Sequence, residues 1–212
     1  MLEAFAARNF LRTNLFRLSP ASPSLKQAKK WLAGAGGGSD GVIAKRLDLP
    51  YQAGNRDGMQ KIKQYRSADC VIGGFRYGEK PQAGRAVVGS ILLGLYDVDG
   101  LLHHVGFSSG IKSKDKPALT DRLEAIESDR SFTGNAAGGP SRWATKRSSE
   151  WKAVKPKLVV EVSYDHFTGG RFRHGTSILR WRPDKKPAKC TFDQLAQKID
   201  TTLLSRLHIA RR

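Results

Sequence analysis

The chain has 212 residues, 37 of them Lys or Arg against 19 Asp or Glu, for a formal net charge of +18 and a pI near 10.3. At 39% hydrophobic, with nine Phe, five Tyr and four Trp, it carries enough apolar surface for a packed core, which excludes wholesale disorder. No window approaches the roughly 20 consecutive apolar residues of a membrane-spanning helix, and Met1–Phe10 lacks the basic start and apolar run of a secretory signal, so a cytoplasmic chain with no membrane partner is expected.

Residues 1–23 carry Phe5, Phe10, Leu11, Leu15, Phe16 and Leu18 at mixed spacing and end in Ser19-Pro20-Ala21-Ser22-Pro23, which turns the chain. Ser24 suits the N-cap of a helix in which Leu25, Ala28, Trp31 and Leu32 recur at three and four residues, and the glycine-rich stretch Ala33–Ser39 ends it. Val42-Ile43-Ala44 reads as a short buried strand. Lys61–Tyr65 and Cys70–Tyr77 read as two more strands of one sheet, separated by Arg66–Asp69.

The polar stretch Gly78–Arg85 marks a change of pattern, so the chain divides into a first unit, residues 1–84, and a second, residues 85–212. In the second, Val87–Tyr96 and Leu101–Phe107 flank Asp97-Val98-Asp99-Gly100, a hairpin signal. Pro117–Ser128 places Leu119, Leu123 and Ile126 on one helical face, with Pro117 tolerated in the first turn. The loop Ser131–Arg142 leads to strands at Lys157–Phe167 and Thr176–Trp181, and a last helix is expected over Phe192–Leu204. Strands, one inserted helix and further strands fit a small five-stranded OB barrel. Cys70 and Cys190 have no C-x-x-C spacing and read as buried free thiols, and the five histidines make no ligand spacing with them.

The charge excess is not a tail: residues 1–88 hold 15 basic and 6 acidic side chains, residues 89–212 hold 22 and 13. A basic body of this kind seeks polyanions, because each phosphate it neutralises releases condensed counterions, and nucleic acid is the leading partner class. Three clusters stand out. Asp40-Gly41-Val42-Ile43-Ala44-Lys45 sets an acid before a strand and a lysine at its end; Lys61-Ile62-Lys63 puts two ammonium groups on one strand face; Arg180-Trp181-Arg182-Pro183-Asp184-Lys185-Lys186 closes a strand. One carboxylate among several cations suits a magnesium nucleotide, with hard oxygen for the metal and cations for the phosphates. Taken singly, Asp40-Gly41 also fits a turn, and Lys61 and Lys63 a solvated strand face.

In order and spacing the clusters resemble the later motifs of ATP-dependent DNA ligases, in the covalent nucleotidyltransferase superfamily. Asp40–Lys45 looks like motif IV with Asp in place of the usual Glu, Lys61–Lys63 like motif V, and Arg66–Arg76 like the bacterial stand-alone and end-joining ligases. Val88–Asp97 is similar to the first OB strand of that group, and Phe172–His174 through Arg180–Lys185 resembles motif VI. The resemblance implies an α+β fold: the rear of an ATP-grasp-like antiparallel nucleotidyltransferase sheet, then an OB-fold barrel. It implies that Asp40 helps hold Mg2+, through a water given its shorter side chain, and that Lys61 and Lys63 contact the nucleotide phosphates. Arg182, Asp184 and Lys185, with Arg180, would orient the β and γ phosphates of ATP, and Lys45 would support the site. Arg171, Arg173 and His174 read either as a solvated loop or as contacts to DNA or nucleotide.

These ligases start with the lysine of a K-x-D-G motif, whose amine attacks the α-phosphate of ATP. The Asp-Gly pairs here, at Asp40, Asp57 and Asp99, are preceded two residues earlier by Gly38, Asn55 and Asp97, so no K-x-D-G occurs. The chain therefore reads as a truncated ligase, inactive alone, that binds nicked duplex DNA and works with a front half supplied upstream or as a separate chain. The alternative is a non-catalytic DNA-binding OB module or the remnant of a ligase gene.

Overall fold

The computed structural model describes residues 2–10, 18–34, 40–137 and 150–195. Leu11, Leu15, Phe16, the glycines within 35–39 and the part of the expected last helix beyond residue 195 lie outside them.

Two helices, α1 (Leu2–Asn9) and α2 (Leu25–Ala33), precede a two-stranded antiparallel ribbon of β1 (Gly41–Lys45) and β2 (Met59–Lys63). Ser24 caps α2 as its sequence suggests, its hydroxyl accepting from the Gln27 amide at 3.4 Å. The ribbon packs mainly against α2 and touches the barrel through side chains at one end, so the expected burial of Val42–Ala44 does not occur: Val42 is half-buried and Ile43 is 49% exposed.

The rest of the described chain is built on a six-stranded antiparallel sheet in the order β10-β7-β3-β4-β5, from β3 (Arg66–Tyr77), β4 (Val88–Tyr96), β5 (Leu102–Ser108), β7 (Val159–Tyr164) and β10 (Ser177–Trp181). The short β6 (Lys152–Ala153) adds to β3, and β8 (Phe167–Thr168) and β9 (Arg171–Phe172) form a small hairpin. Arg66–Asp69, expected to separate two strands, is instead the start of β3, where it pairs with Tyr164–Glu161 of β7. β2 and β3 consequently belong to different sheets, and the larger sheet extends across residue 84.

The sheet coils because its register slips at Ile72/Gly74, Leu93/Gly94 and Ile178/Arg180, each slip bending its strand. Its two edges then meet: the Thr176 amide donates to the Phe107 carbonyl at 3.3 Å and the Ser108 hydroxyl to the Thr176 carbonyl at 2.8 Å. The result is a partly open barrel of the expected OB kind. Ile72, Phe75, Ile91, Leu93, Leu95, Val105, Val160 and Val162 belong to one hydrophobic core. Helix α3 (Lys116–Glu124) adds Leu119 and Leu123 to it, and the Thr120 hydroxyl accepts from the Val88 amide at 2.9 Å. α3 stops four residues short of Ser128, where Glu127 bridges to Val154 instead.

Phe132 and Trp151 are laid against the sheet at Gly73 and Gly74, where a side chain would collide with them: a Cβ on Gly73 would fall 2.5 Å from Phe132 Cζ, and one on Gly74 2.7 Å from Trp151 Cε3. Cys70 and Cys190 are buried free thiols, as expected, and burial holds both firmly protonated. Phe192–Leu195 forms a 3-10 turn. No helix among the described residues is long and apolar enough to cross a membrane.

Candidate functional site

The ribbon assembles the first group of motif residues. Gly41 opposes Lys63, Ile43 opposes Lys61 and Lys45 opposes Met59, so Lys45, Lys61 and Lys63 share one face. Asp40 enters this face because Gly41 follows it: at φ 146° its backbone passes so close to the Ile62 carbonyl that a Cβ would overlap it. Lys61 Nζ donates to Asp40 Oδ2 at 3.5 Å, and His166 Nδ1 lies 4.0 Å from the other oxygen. Lys63 points elsewhere. Its Nζ donates to Asp165 Oδ2 at 2.5 Å, just beyond the end of β7.

The second group lies on and after β10. Arg182 Nη1 donates to Asp69 Oδ1 at 2.8 Å, its Nη2 to Asp184 Oδ2 at 2.8 Å, and Lys185 Nζ sits 3.1 Å from Asp69 Oδ2. Arg180 Nε donates to Glu161 Oε2 at 2.7 Å. Asp69 and Glu161 face each other across β3 and β7, so the three motif cations Arg180, Arg182 and Lys185 are paired with carboxylates of the barrel wall. The hydrogen bond from Arg182 holds the Asp184 carboxyl down at about 2, against a smaller opposing effect of burial. Glu161 is lowered by hydrogen bonds from Ser67 and then Arg180.

The fold keeps the two groups apart. Trp181 pairs with Val160 near the start of β7, whereas Lys63 meets Asp165 past its end. Five residues of extended strand span about 17 Å along the backbone, so the two groups are rooted towards opposite ends of β7. Asp40 is a lone carboxylate whose nearest partners are a lysine and a histidine, and no group of three metal-ligating side chains occurs among the described residues. It suits Mg2+ only as one protein ligand among phosphate and water oxygens.

The profile of the ATP dependent DNA ligase C terminal region matches residues 84–185. DNA ligase C1 of Mycolicibacterium smegmatis is 45% identical over 165 residues, 76% of this chain and 45% of that protein. The chain contains the C-terminal region of the ATP-dependent DNA ligases, over residues 84–185. It is similar along 88% of its length to DNA ligase C of Mycobacterium tuberculosis, at 34% identity over 54% of that ligase. The crystal structure of the ligase domain of M. tuberculosis LigD superimposes with a TM-score of 0.50 at 35% identity, covering 70% of this chain and 46% of that domain. The chain thus spans about half the length of the ligases it matches.

Three carboxylates that hold the motif cations are not singled out by a reading of the sequence. Asp69 and Glu161, which hold Arg182 and Arg180, are acids inside strands, and Asp165 and His174 form a further pair 2.9 Å apart that receives Lys63. A carboxylate beside the buried Cys70 was the available signal for Asp69: it must be paired to stay there. Of the loop residues, His174 therefore has a protein partner, and Arg171 stands near the buried ring of His104.

Proposed function

We propose that this chain supplies the rear of the nucleotidyltransferase unit and the OB barrel of a ligase that seals nicks in duplex DNA during repair or recombination, through a ligase-AMP and a DNA-adenylate. The ribbon face carrying Lys45, Lys61 and Lys63 beside Asp40 is the observation that supports this reading, since it sets phosphate-binding cations next to one carboxylate. The division between units falls at residues 64–65, where the chain passes from the ribbon into β3. The Mg2+-ATP contacts of Asp40, Lys61, Lys63, Arg180, Arg182 and Lys185 draw on both the ribbon and the barrel. Such a ligase acts in the cytoplasm.

The 212 residues contain no K-x-D-G, and by themselves they form no lysyl-AMP. Incubation with α-labelled ATP and magnesium followed by a denaturing gel tests this; a covalent AMP adduct on this chain overturns it. Addition of a front half carrying K-x-D-G, as a separate chain or upstream in one polypeptide, should restore labelling of that lysine.

A DNA-binding module without catalysis is the second reading, favoured by the pairing of Arg180, Arg182 and Lys185 with carboxylates of the barrel. Restored labelling by the front half decides against it.

A further inference from the structure

Three segments meet at one end of the barrel: the exposed side of α3, the approach to β7 and the exit from β10. They enclose a cleft of about 150 Å3 lined by Arg122, Lys157, Trp181, Arg182 and Lys185 over Val159. Four cations and an indole ring line it, and no carboxylate side chain does.

The four cations are not equivalent. Arg182 and Lys185 are anchored on Asp69. Arg122 and Lys157 have no carboxylate partner among the described residues; Arg122 instead lies over the Trp181 ring, 5.0 Å from its centroid. The ring face holds the charge by its quadrupole without using the N–H groups, which can still donate to a planar or tetrahedral oxyanion. Two cations with no carboxylate partner among the described residues, set beside two more, repel one another until an anion enters. Size narrows the ligand: sites for small organic molecules measure roughly 300–1,000 Å3, so this cleft is too small for a nucleoside and suits one or two phosphate groups.

We infer that the cleft binds phosphate groups in an anion of about the size of pyrophosphate, with Arg122 and Lys157 as the free cations and Arg182 and Lys185 as the anchored ones. The inference extends the phosphate role of Arg182 and Lys185 to two residues outside every motif, and it rests on the ligase reading only for the source of the anion. That source is either a polyphosphate, as the tail of ATP or released pyrophosphate, or the phosphate at a DNA 5' end.

The test is calorimetric titration of the whole chain with pyrophosphate, without metal and at fixed ionic strength. Saturable binding is expected, weakened about tenfold by Arg122→Gln or Lys157→Gln, the loss of one charge-assisted contact. Lys26→Gln removes the same charge from α2 and should leave the affinity unchanged. No saturable binding overturns the proposal, as does equal weakening by all three variants or by none. Competition assigns the source: displacement of pyrophosphate by a 5'-phosphorylated duplex but not by its 5'-hydroxyl counterpart identifies the DNA end, and displacement by neither identifies the polyphosphate. Should a reconstituted ligase fail to label with ATP while pyrophosphate still depends on Arg122 and Lys157, the ligase reading falls and this site stands. Labelling that survives with no such dependence does the reverse.

Discussion

Lys63 of β2 and Asp165 beyond β7 form a hydrogen-bonded ion pair at 2.5 Å, with side chains only 23% and 12% exposed. The pair ties the ribbon to the barrel and occupies one of the two lysines that the ligase motifs would direct at a nucleotide. Burial alone would raise the Asp165 carboxyl, but the hydrogen bonds and charges of Lys63 and His174 outweigh it and bring it down to about 2. A device that loosens this contact would free Lys63 and the ribbon together.

Asp165→Asn should therefore destabilise the fold in a pH-dependent way. The carboxyl is depressed from about 3.9 in the unfolded chain to about 2 in the fold, so its contribution is fully present above pH 4 and is lost as pH falls from there towards 2. The gap in melting temperature between the wild-type chain and Asp165→Asn should be widest at neutral pH and close in that acid window. Amides of β1 and β2 should also exchange faster in the variant. A gap that stays constant from pH 7 to pH 2 would show that the charge of Asp165 is not what matters.

His104 offers a second test of acid sensitivity, in a higher pH window. Its ring is buried against Phe132, neither nitrogen makes a well-formed hydrogen bond among the described residues, and burial, aided by the charges of Arg171 and Arg76 and opposed weakly by the Gly106 backbone, pushes it down to about 4. The neutral ring is the folded form, so the unfolded chain takes up a proton first, near pH 6.5, and stability falls from there as the pH drops towards 4. His104→Leu should remove that part of the acid sensitivity and leave the melting temperature at pH 7 equal or higher, because two unsatisfied polar atoms are deleted with it. A variant that melts lower at pH 7 and keeps the wild-type pH dependence would contradict this.

How far such features can be read from the chain depends on how local their causes are. The β4–β5 hairpin and α3 were legible because their turn, first-turn proline and periodicity sit within one stretch of sequence. The shared face of Lys61 and Lys63 follows from strand geometry alone. By contrast, Arg66–Asp69 looks like a polar break until β7 is present to pair with it, and the partners of Lys63 and Arg182 lie 102 and 113 residues away. Motif spacing identified the cations; only the barrel could reveal that they stand at opposite ends of one strand. Arg122 and Lys157 belong to no motif, so nothing local distinguished them from other surface charges.

Gly74 should not tolerate a methyl group. A Cβ there would sit 2.7 Å from Trp151 and 2.8 Å from the Lys152 carbonyl, and the latter is backbone held in the β3–β6 pairing. Gly74→Ala is expected to cost about 1–3 kcal/mol through overpacking, a fall of a few degrees in melting temperature for a chain of this size. Gly110→Ala, at a position with open space around it, is the matched control and should melt like the wild type. Equal melting temperatures for the two variants would mean that Trp151 does not pack as described.

Arg182 is where structure and chemistry are easiest to confuse. The resemblance assigns it to phosphate, yet its guanidinium spans Asp69 and Asp184, and Asp69 lies on a buried stretch of β3 beside Cys70. Removing it leaves Asp69 with Lys185 alone, and a buried carboxylate stripped of a partner is destabilising. Arg182→Ala should thus lower the melting temperature as well as any phosphate affinity, and a loss of ligation in that variant would not by itself reveal a role in chemistry. Lys157→Ala, with no carboxylate to abandon, should lose phosphate affinity at an unchanged melting temperature. Melting curves measured beside the pyrophosphate titrations separate the two effects. If Arg182→Ala melts like the wild type, Asp69 does not depend on it, and the anchored and free cations of the cleft are not the distinct classes that their partners indicate.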